Sequence, residues 1–388
     1  MEVMKNVFKN NVRQYGMIVA LILIVVLFQV LSDGILLKPL NVTNIIQQYG
    51  FILVLAIGMV LVIITGHIDL SVGSIAAFIG AVSAIMMVDY DIPYWAAIVL
   101  SLLIGALVGA WQGFWVAYMR IPSFIVTLAG MLLFRGLTMI VLNGQSIAPF
   151  PKAFQKMSSG FLPDLGGGSS LHTLTLIIGA FLSLVTVLQE VRERRKQQKY
   201  KFEVLPLPWF IAKLIGIVAV IGVFTYVLAK YKGIPVVLII LFVLVVVYTF
   251  VMKRTVMGRH TYALGGNEKA AKLSGVKTRR VTFWVFVNMG VLSALSGLIY
   301  AARLNVATPK AGVNFELDAI AACFIGGASA AGGVGTVMGA IIGGLVMAVM
   351  NNGMSLIGLG IDWQQGIKGL VLLLAVAFDI YNKNKSAS

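Results

Sequence analysis

KRTVMGRHTYALGGNEKAAKLSGVKTRR, Lys253 to Arg280, is a polar break in a chain of 388 residues that is otherwise almost continuously apolar. It holds eight Lys or Arg and a single acidic residue, Glu268. Between two apolar runs, such a cluster belongs on the cytoplasmic side of a membrane under the positive-inside rule. Its middle, Asn267 to Leu273, consists of good helix formers flanked by Gly265-Gly266 and Gly275. The pattern predicts one short cytosolic helix between flexible glycine joints, a docking element that a soluble partner pushes or reads.

On both sides of this loop, apolar runs recur at about 20 residues, the length that crosses about 30 Å of hydrocarbon. With 59% hydrophobic and 11% charged residues, the chain is not a soluble globular domain. It reads as an all-α polytopic membrane protein forming a single transmembrane domain. Polar breaks divide it into twelve spans near 17–32, 45–65, 72–88, 95–118, 123–142, 172–189, 207–229, 234–252, 281–301, 317–331, 335–355 and 363–381. The net charge of +16 sits in the connections, so topology accounts for it without nucleic acid. Twelve spans place the three most basic segments inside: the N-terminus with Lys5, Lys9 and Arg13, the loop Arg192–Lys201, and the loop quoted above. Lys383 and Lys385 join them, which puts both termini in the cytoplasm. No small-residue cleavage site follows Met17–Leu31, so that run is a retained span and not a signal peptide. The longest outer connection, Asn143–Leu171, carries Pro149, Pro151, Pro163 and Gly166-Gly167-Gly168 and reads as irregular. A single cysteine, Cys323, excludes an internal disulfide framework and Cys-based metal clusters.

An internal similarity links early and late spans. Ile75-Ala76-Ala77-Phe78-Ile79-Gly80-Ala81-Val82-Ser83-Ala84 matches Ile320-Ala321-Ala322-Cys323-Phe324-Ile325-Gly326-Gly327-Ala328-Ser329-Ala330 with one inserted residue. A glycine ladder at every fourth position follows each: Gly105, Gly109, Gly113 and Gly335, Gly339, Gly343. Such ladders strip one helix face of side chains and let a neighbouring helix approach. On twelve spans the copies start on opposite sides, which is an inverted-topology repeat of residues 45–142 and 281–381.

Candidate pathway or gate residues are polar groups that are costly in hydrocarbon unless they line water or pair. His67, Asp69 and Ser71 sit between two spans near the cytoplasmic end, either capping the span that begins near Val72 or lining a gate. Asp318 occupies the matching place in the second copy, and with Glu316 is expected at the outer face. Trp111, Gln112, Trp115, Asn288, Asn351, Asn352, Trp363, Gln364 and Gln365 combine flat apolar faces with amides that suit hydroxyls. The chain has no phosphate-cradling loop, nucleophile elbow or metal spacing, and no row of intramembrane acids for a proton relay. It is therefore expected to be no enzyme, to need no cofactor of its own, and to draw energy from another subunit.

TGHIDLSVGS at 65–74, PSFIVTLAGMLLFRGLT at 122–138, GRHTYALGGNEKAAKLSGV at 258–276 and ELDAIAACFIGGASAAGGVGT at 316–336 together resemble the permease subunits of bacterial ribose/xylose-type ABC sugar importers. The resemblance covers residues 40–382 and is strongest to the longer permeases for xylose or multiple monosaccharides, which carry an insertion where this chain has 172–230. It implies a ten-span core like that of the vitamin B12 importer, plus two inserted spans. It also implies a permease homodimer in the bacterial inner membrane, cytosolic ATPase subunits that use ATP and Mg, and an outer sugar-binding protein. Gly265, Gly266, Asn267, Glu268, Ala270, Ala271, Leu273 and Gly275 then form the coupling element, with Glu268, Lys269 and Lys272 polar and Ala271 and Leu273 packing. The residues leave open another small hydrophilic solute, such as an amino acid, nucleoside or signalling furanose, and an ATP-independent facilitator.

Overall fold

The computed structural model describes residues 2–166, 171–202 and 204–387, with side chains for 16–166, 171–202, 204–377 and 379–380. Gly167, Gly168 and the side chains of Lys5, Lys9, Arg13, Lys383 and Lys385 lie outside the described residues.

The described residues form fifteen helices: α1 Glu2–Leu31, α2 Pro39–Ile64, α3 Val72–Ala84, α4 Tyr94–Ala117, α5 Ser123–Val141, α6 Lys152–Ser159, α7 Thr173–Lys199, α8 Leu207–Ala229, α9 Val236–Arg254, α10 Val256–Gly266, α11 Glu268–Leu273, α12 Thr278–Leu304, α13 Phe315–Ile325, α14 Val337–Leu356 and α15 Ile361–Ala387. A π-helical turn, Ile85–Asp89, prolongs α3. Among the described residues the only extended pairings are single bridges, Ile147 with Ala307 and Phe161 with Pro235. Nine helices there are long and apolar enough to cross a membrane, and Gly16–Leu31 is a shorter apolar one. The protein is an all-α polytopic membrane protein.

Local chemistry sets the helix ends. Pro39 opens α2, where its fixed φ suits the first turn and its missing N–H costs nothing. Thr336 Oγ1 accepts from Gly339 N at 2.9 Å to start α14. Asn305, left-handed at φ 55°, ends α12.

Two elements differ from the sequence expectation. The apolar run 317–331 is helical only to Ile325, because Gly327, Gly332 and Gly333 turn the chain at φ 79°, 79° and 74°. The long connection 143–171 contains α6, which follows Pro151 and buries Phe154 completely. Prolines and glycines on either side hide this eight-residue helix from a composition-based reading.

The centre is built from α2 and α12. They run antiparallel, with Ser296 Oγ donating to the carbonyl of Phe51 at 2.9 Å and Gly58 facing Met289 and Leu292. Helices α3 and α4 pack on α12, while α13 and α14 pack on α2, so each half of the chain supplies neighbours for the other's central helix. The first glycine ladder brings α4 against α12. A methyl group on Gly109 would lie 2.4 Å from the carbonyl of Phe286, and one on Gly290 would lie 2.2 Å from that of Gly105. The second ladder packs differently: Gly339 and Gly343 press on Gly326 and Ala322 of the α13 region, and Gly335 lies outside a helix at φ 154°.

Helices α7 and α8 form a peripheral hairpin. Gly179 lets Thr225 close in, Lys213 pairs with Glu190 at 2.6 Å, and the Arg194 guanidinium stacks 4.4 Å over Phe210. Phe181, Leu184, Val220 and Val223 remain exposed, as lipid-facing residues should.

Filling the α4–α12 contact should therefore cost more than filling open space. Gly109→Val is expected to destabilise the purified protein by about 1–3 kcal/mol through overpacking. Gly136→Ala, whose added methyl meets nothing within 4 Å, should leave the midpoint of thermal unfolding in detergent unchanged.

Candidate functional site

At the end of the bundle that carries Lys253–Arg280, the expected single helix is two. Helix α10 runs through Gly265-Gly266, and α11 restarts after Asn267, whose Oδ1 accepts from Ala270 N at 3.0 Å. Asn267 thus caps α11, with Glu268 in its first turn and Lys272 in its last, both favourable to the helix dipole. Ala271 is buried, whereas Leu273 is 91% exposed and Gly275 ends the element at φ 84°.

Gly265 is a contact point and not a flexible joint. A methyl there would sit 1.6 Å from the carbonyl of Ile64 and 2.6 Å from Gly333 N. The same carbonyl accepts a hydrogen bond from Gly333 N at 2.8 Å, and Tyr262 Oη donates to Gly335 O at 2.7 Å. The end of α2, the end of α10 and the non-helical stretch 326–336 therefore meet backbone to backbone.

Beyond Ile64 the chain rises back into the bundle before α3 begins. Ala76 lies against Gly297 and Gly80 against Ala301, so α3 runs parallel to α12. By that register Val72 starts near the middle of α12, and the His67 ring sits 5.9 Å from that of Phe286. Asp69 and Ser71, expected near the cytoplasmic end, are thus carried into the bundle. Asp69 Oδ1 accepts from Ser71 N at 2.9 Å and Ser71 Oγ at 2.5 Å, and Gln112 Nε2 donates to Ser71 Oγ at 2.7 Å. Asp69 supplies the bond that starts α3, and Ser71 makes no capping bond of its own. Helix α5 holds the stretch from the side, with Ser123 Oγ accepting from Ile68 N and Thr127 Oγ1 donating to Ile68 O, both at 3.4 Å.

A second inward fold faces this one. Asn305 and Asn314, both left-handed, bound a stretch in which Gly312 approaches so closely that a methyl would lie 2.0 Å from Gly73 O. Glu316 follows, only 7% exposed and with Oε2 against Gly73. The sequence places Glu316 at the outer face; the inward turn of 305–314 carries it into the bundle instead.

At the opposite end from Gly265, a cavity of about 610 Å³ opens among α2, α12, α13, α14 and α15. Phe51, Tyr300 and Phe315 stack along one side, with ring centroids 4.6 to 5.0 Å apart. Lys368 Nζ bridges to Asp318 Oδ1 at 3.1 Å and Oδ2 at 3.3 Å, and Arg303 and Tyr49 complete the polar wall.

Across residues 41–376 the chain matches the family described as branched-chain amino acid transport system / permease component. The chain belongs to that permease family. The xylose transport system permease protein XylH of Haemophilus influenzae is 41% identical over 97% of this chain and 98% of its own length. XylH of Escherichia coli K12 is 40% identical over 97% and 94%. The ribose import permease protein RbsC of Bacillus subtilis is 33% identical over 98% and 96%. No solved structure matches the chain.

Within this permease the remaining polar candidates are spread out. Asn352 pairs twice with Asn41, at 2.8 and 3.2 Å, and joins α14 to α2. Asn288 accepts from Tyr248 Oη and joins α12 to α9. Trp111 packs edge-on to Phe134, Trp115 edge-on to Phe114, and Trp363 is 71% exposed. Asn351 is buried in α14. Of the residues the sequence suggests, Asp318, Gln364 and Gln365 line the cavity. Arg303, Lys368, Tyr49 and Tyr300 were not foreseen; they come from three separate stretches of the chain, and only the fold brings them together.

Two neighbouring glycines give a sharp test of the joint. Gly265→Ala should open the Lys253–Arg280 segment to trypsin under mild conditions, whereas Gly266→Ala, with nothing within 4 Å of its added methyl, should digest like the parent.

Proposed function

We propose that this permease is the membrane subunit of an ABC importer that carries xylose, or a closely related monosaccharide, into the bacterial cytoplasm. Separate ATPase subunits use ATP and Mg, an outer binding protein delivers the sugar, and two copies of the permease enclose the path. The end bearing Lys253–Arg280 is the cytoplasmic one, both termini lie there, and residues 45–142 and 281–381 are inverted repeats.

The observation that carries this reading is the backbone junction of Gly265 with Ile64 and Gly333. A push on α11 reaches both stretches where spans are interrupted, 65–71 and 326–336, without passing through flexible side chains. Glu268, Lys269 and Lys272 meet the ATPase as polar contacts, exposed Leu273 fills an apolar recess in it, and buried Ala271 holds α11 to the bundle. Asp69 and Ser71, bonded to Gln112, act as the latch that such a push releases. Near-full-length identity of about 40% to xylose permeases supports the cargo.

Glu268→Lys reverses the charge on the exposed element without touching the core. Sugar uptake by cells expressing it, with its ATPase and binding protein, is expected to fall at least about tenfold, within the usual range of coupling free energies. Membrane levels and unstimulated ATP hydrolysis should hold. Normal uptake by stably inserted Glu268→Lys protein would remove the coupling assignment.

A further inference from the structure

The geometry points to a monosaccharide-binding station inside the permease itself, at the cavity opposite the coupling element; this rests on the importer reading above. Its volume of about 610 Å³ falls in the range of small-molecule sites. Three aromatic rings, Phe51, Tyr300 and Phe315, come from three different helices and lie within 5.0 Å of one another. They offer apolar faces to the C–H side of a sugar ring. Opposite chemistry is at hand in the same wall. Arg303 forms no ion pair among the described residues, so its fork of N–H donors is open to hydroxyls. Asp318 receives Lys368 on both oxygens at 3.1 and 3.3 Å yet keeps further lone pairs for hydroxyl donors.

An ion pair among membrane helices is costly unless it is used, and apolar residues would join α13 to α15 at lower cost. Asp318 already balances the Lys368 charge, which leaves the Arg303 donors as the wall's open polar group for the hydroxyls of a neutral polyol. Position adds a consequence. A sugar bound by Arg303 and Asp318 bridges α12 to α13, and the far end of α13 leads through 326–336 to Gly333 at the coupling joint. Occupancy of the station would then bias the element that the ATPase grips, and the permease would share in choosing the sugar.

The test uses the full-length permease assembled with its ATPase in lipid nanodiscs, without the binding protein, and equilibrium binding of radiolabelled D-xylose. Saturable binding is expected, and Arg303→Gln should weaken it at least about tenfold, the loss of a charged hydrogen bond. Arg303→Lys, which keeps the charge, should fall between. The exchanged pair Asp318→Lys with Lys368→Asp retains the ion pair; with binding protein added, it should insert normally but change the xylose-to-ribose uptake ratio. Binding that is absent in the parent, or equal in Arg303→Gln, would overturn the station, as would an exchanged pair with parental uptake of both sugars. Displacement of xylose by xylonate or leucine in preference to neutral sugars would overturn the neutral-polyol assignment. These results are separable from failure of the importer reading, which would show as no uptake of any sugar by the intact parent system.

Discussion

Everything at the basic end of this permease depends on how closely three backbones meet. Gly265 can lie on the carbonyl of Ile64 only because it has no side chain, and that same carbonyl is bonded by Gly333 N. Any residue with a Cβ at position 265 separates α10 from α2 and strains the 326–336 stretch as well. A contact made of main chain transmits displacement better than one made of long side chains, which absorb movement by changing rotamer.

The same constraint governs the interior. Backbone that is not helical cannot face lipid, because its N–H and C=O groups would lack partners. The stretches 65–71, 305–314 and 326–336 accordingly press part of their backbone onto protein, and glycine or alanine contacts provide the room: Gly73 against Gly312, Ala76 against Gly297, Gly326 against Gly339. Asp69 becomes affordable at depth because Ser71 donates to it twice and Gln112 extends the network. The interrupted spans and the glycine pairs are one feature seen from two sides.

The helical, membrane-spanning class was legible because hydrophobic length and charge placement act locally. Asn267 as the start of a helix was equally visible, since capping needs only a polar side chain three residues before a free N–H. Depth was not visible. Asp69 reads as lying near the cytoplasmic end and Glu316 at the outer face, yet left-handed Asn314 and the Gly73–Gly312 contact draw both inward. The run 317–331 looks like one span by hydropathy, which does not register the turns at Gly327 and Gly332. The polar cavity wall was hidden for another reason: Tyr49, Arg303 and Lys368 are far apart in sequence, and their association is a product of packing alone. Asn352 is bonded to Asn41 of α2, a partner 311 residues away that no local pattern announces.

The central claim is that the exposed face of α11 is where a cytosolic ATPase grips the permease. The lone Cys323 is fully buried, so a cysteine introduced by Leu273→Cys, at a position 91% exposed, is the sole accessible thiol among the described residues. Its rate of alkylation by a membrane-impermeant maleimide, measured on inverted membranes with and without the ATPase subunit, tests the claim directly. Strong protection by the ATPase, relieved when that subunit is stripped away, is the expected result; an unchanged rate in a complex that still transports sugar would contradict the account.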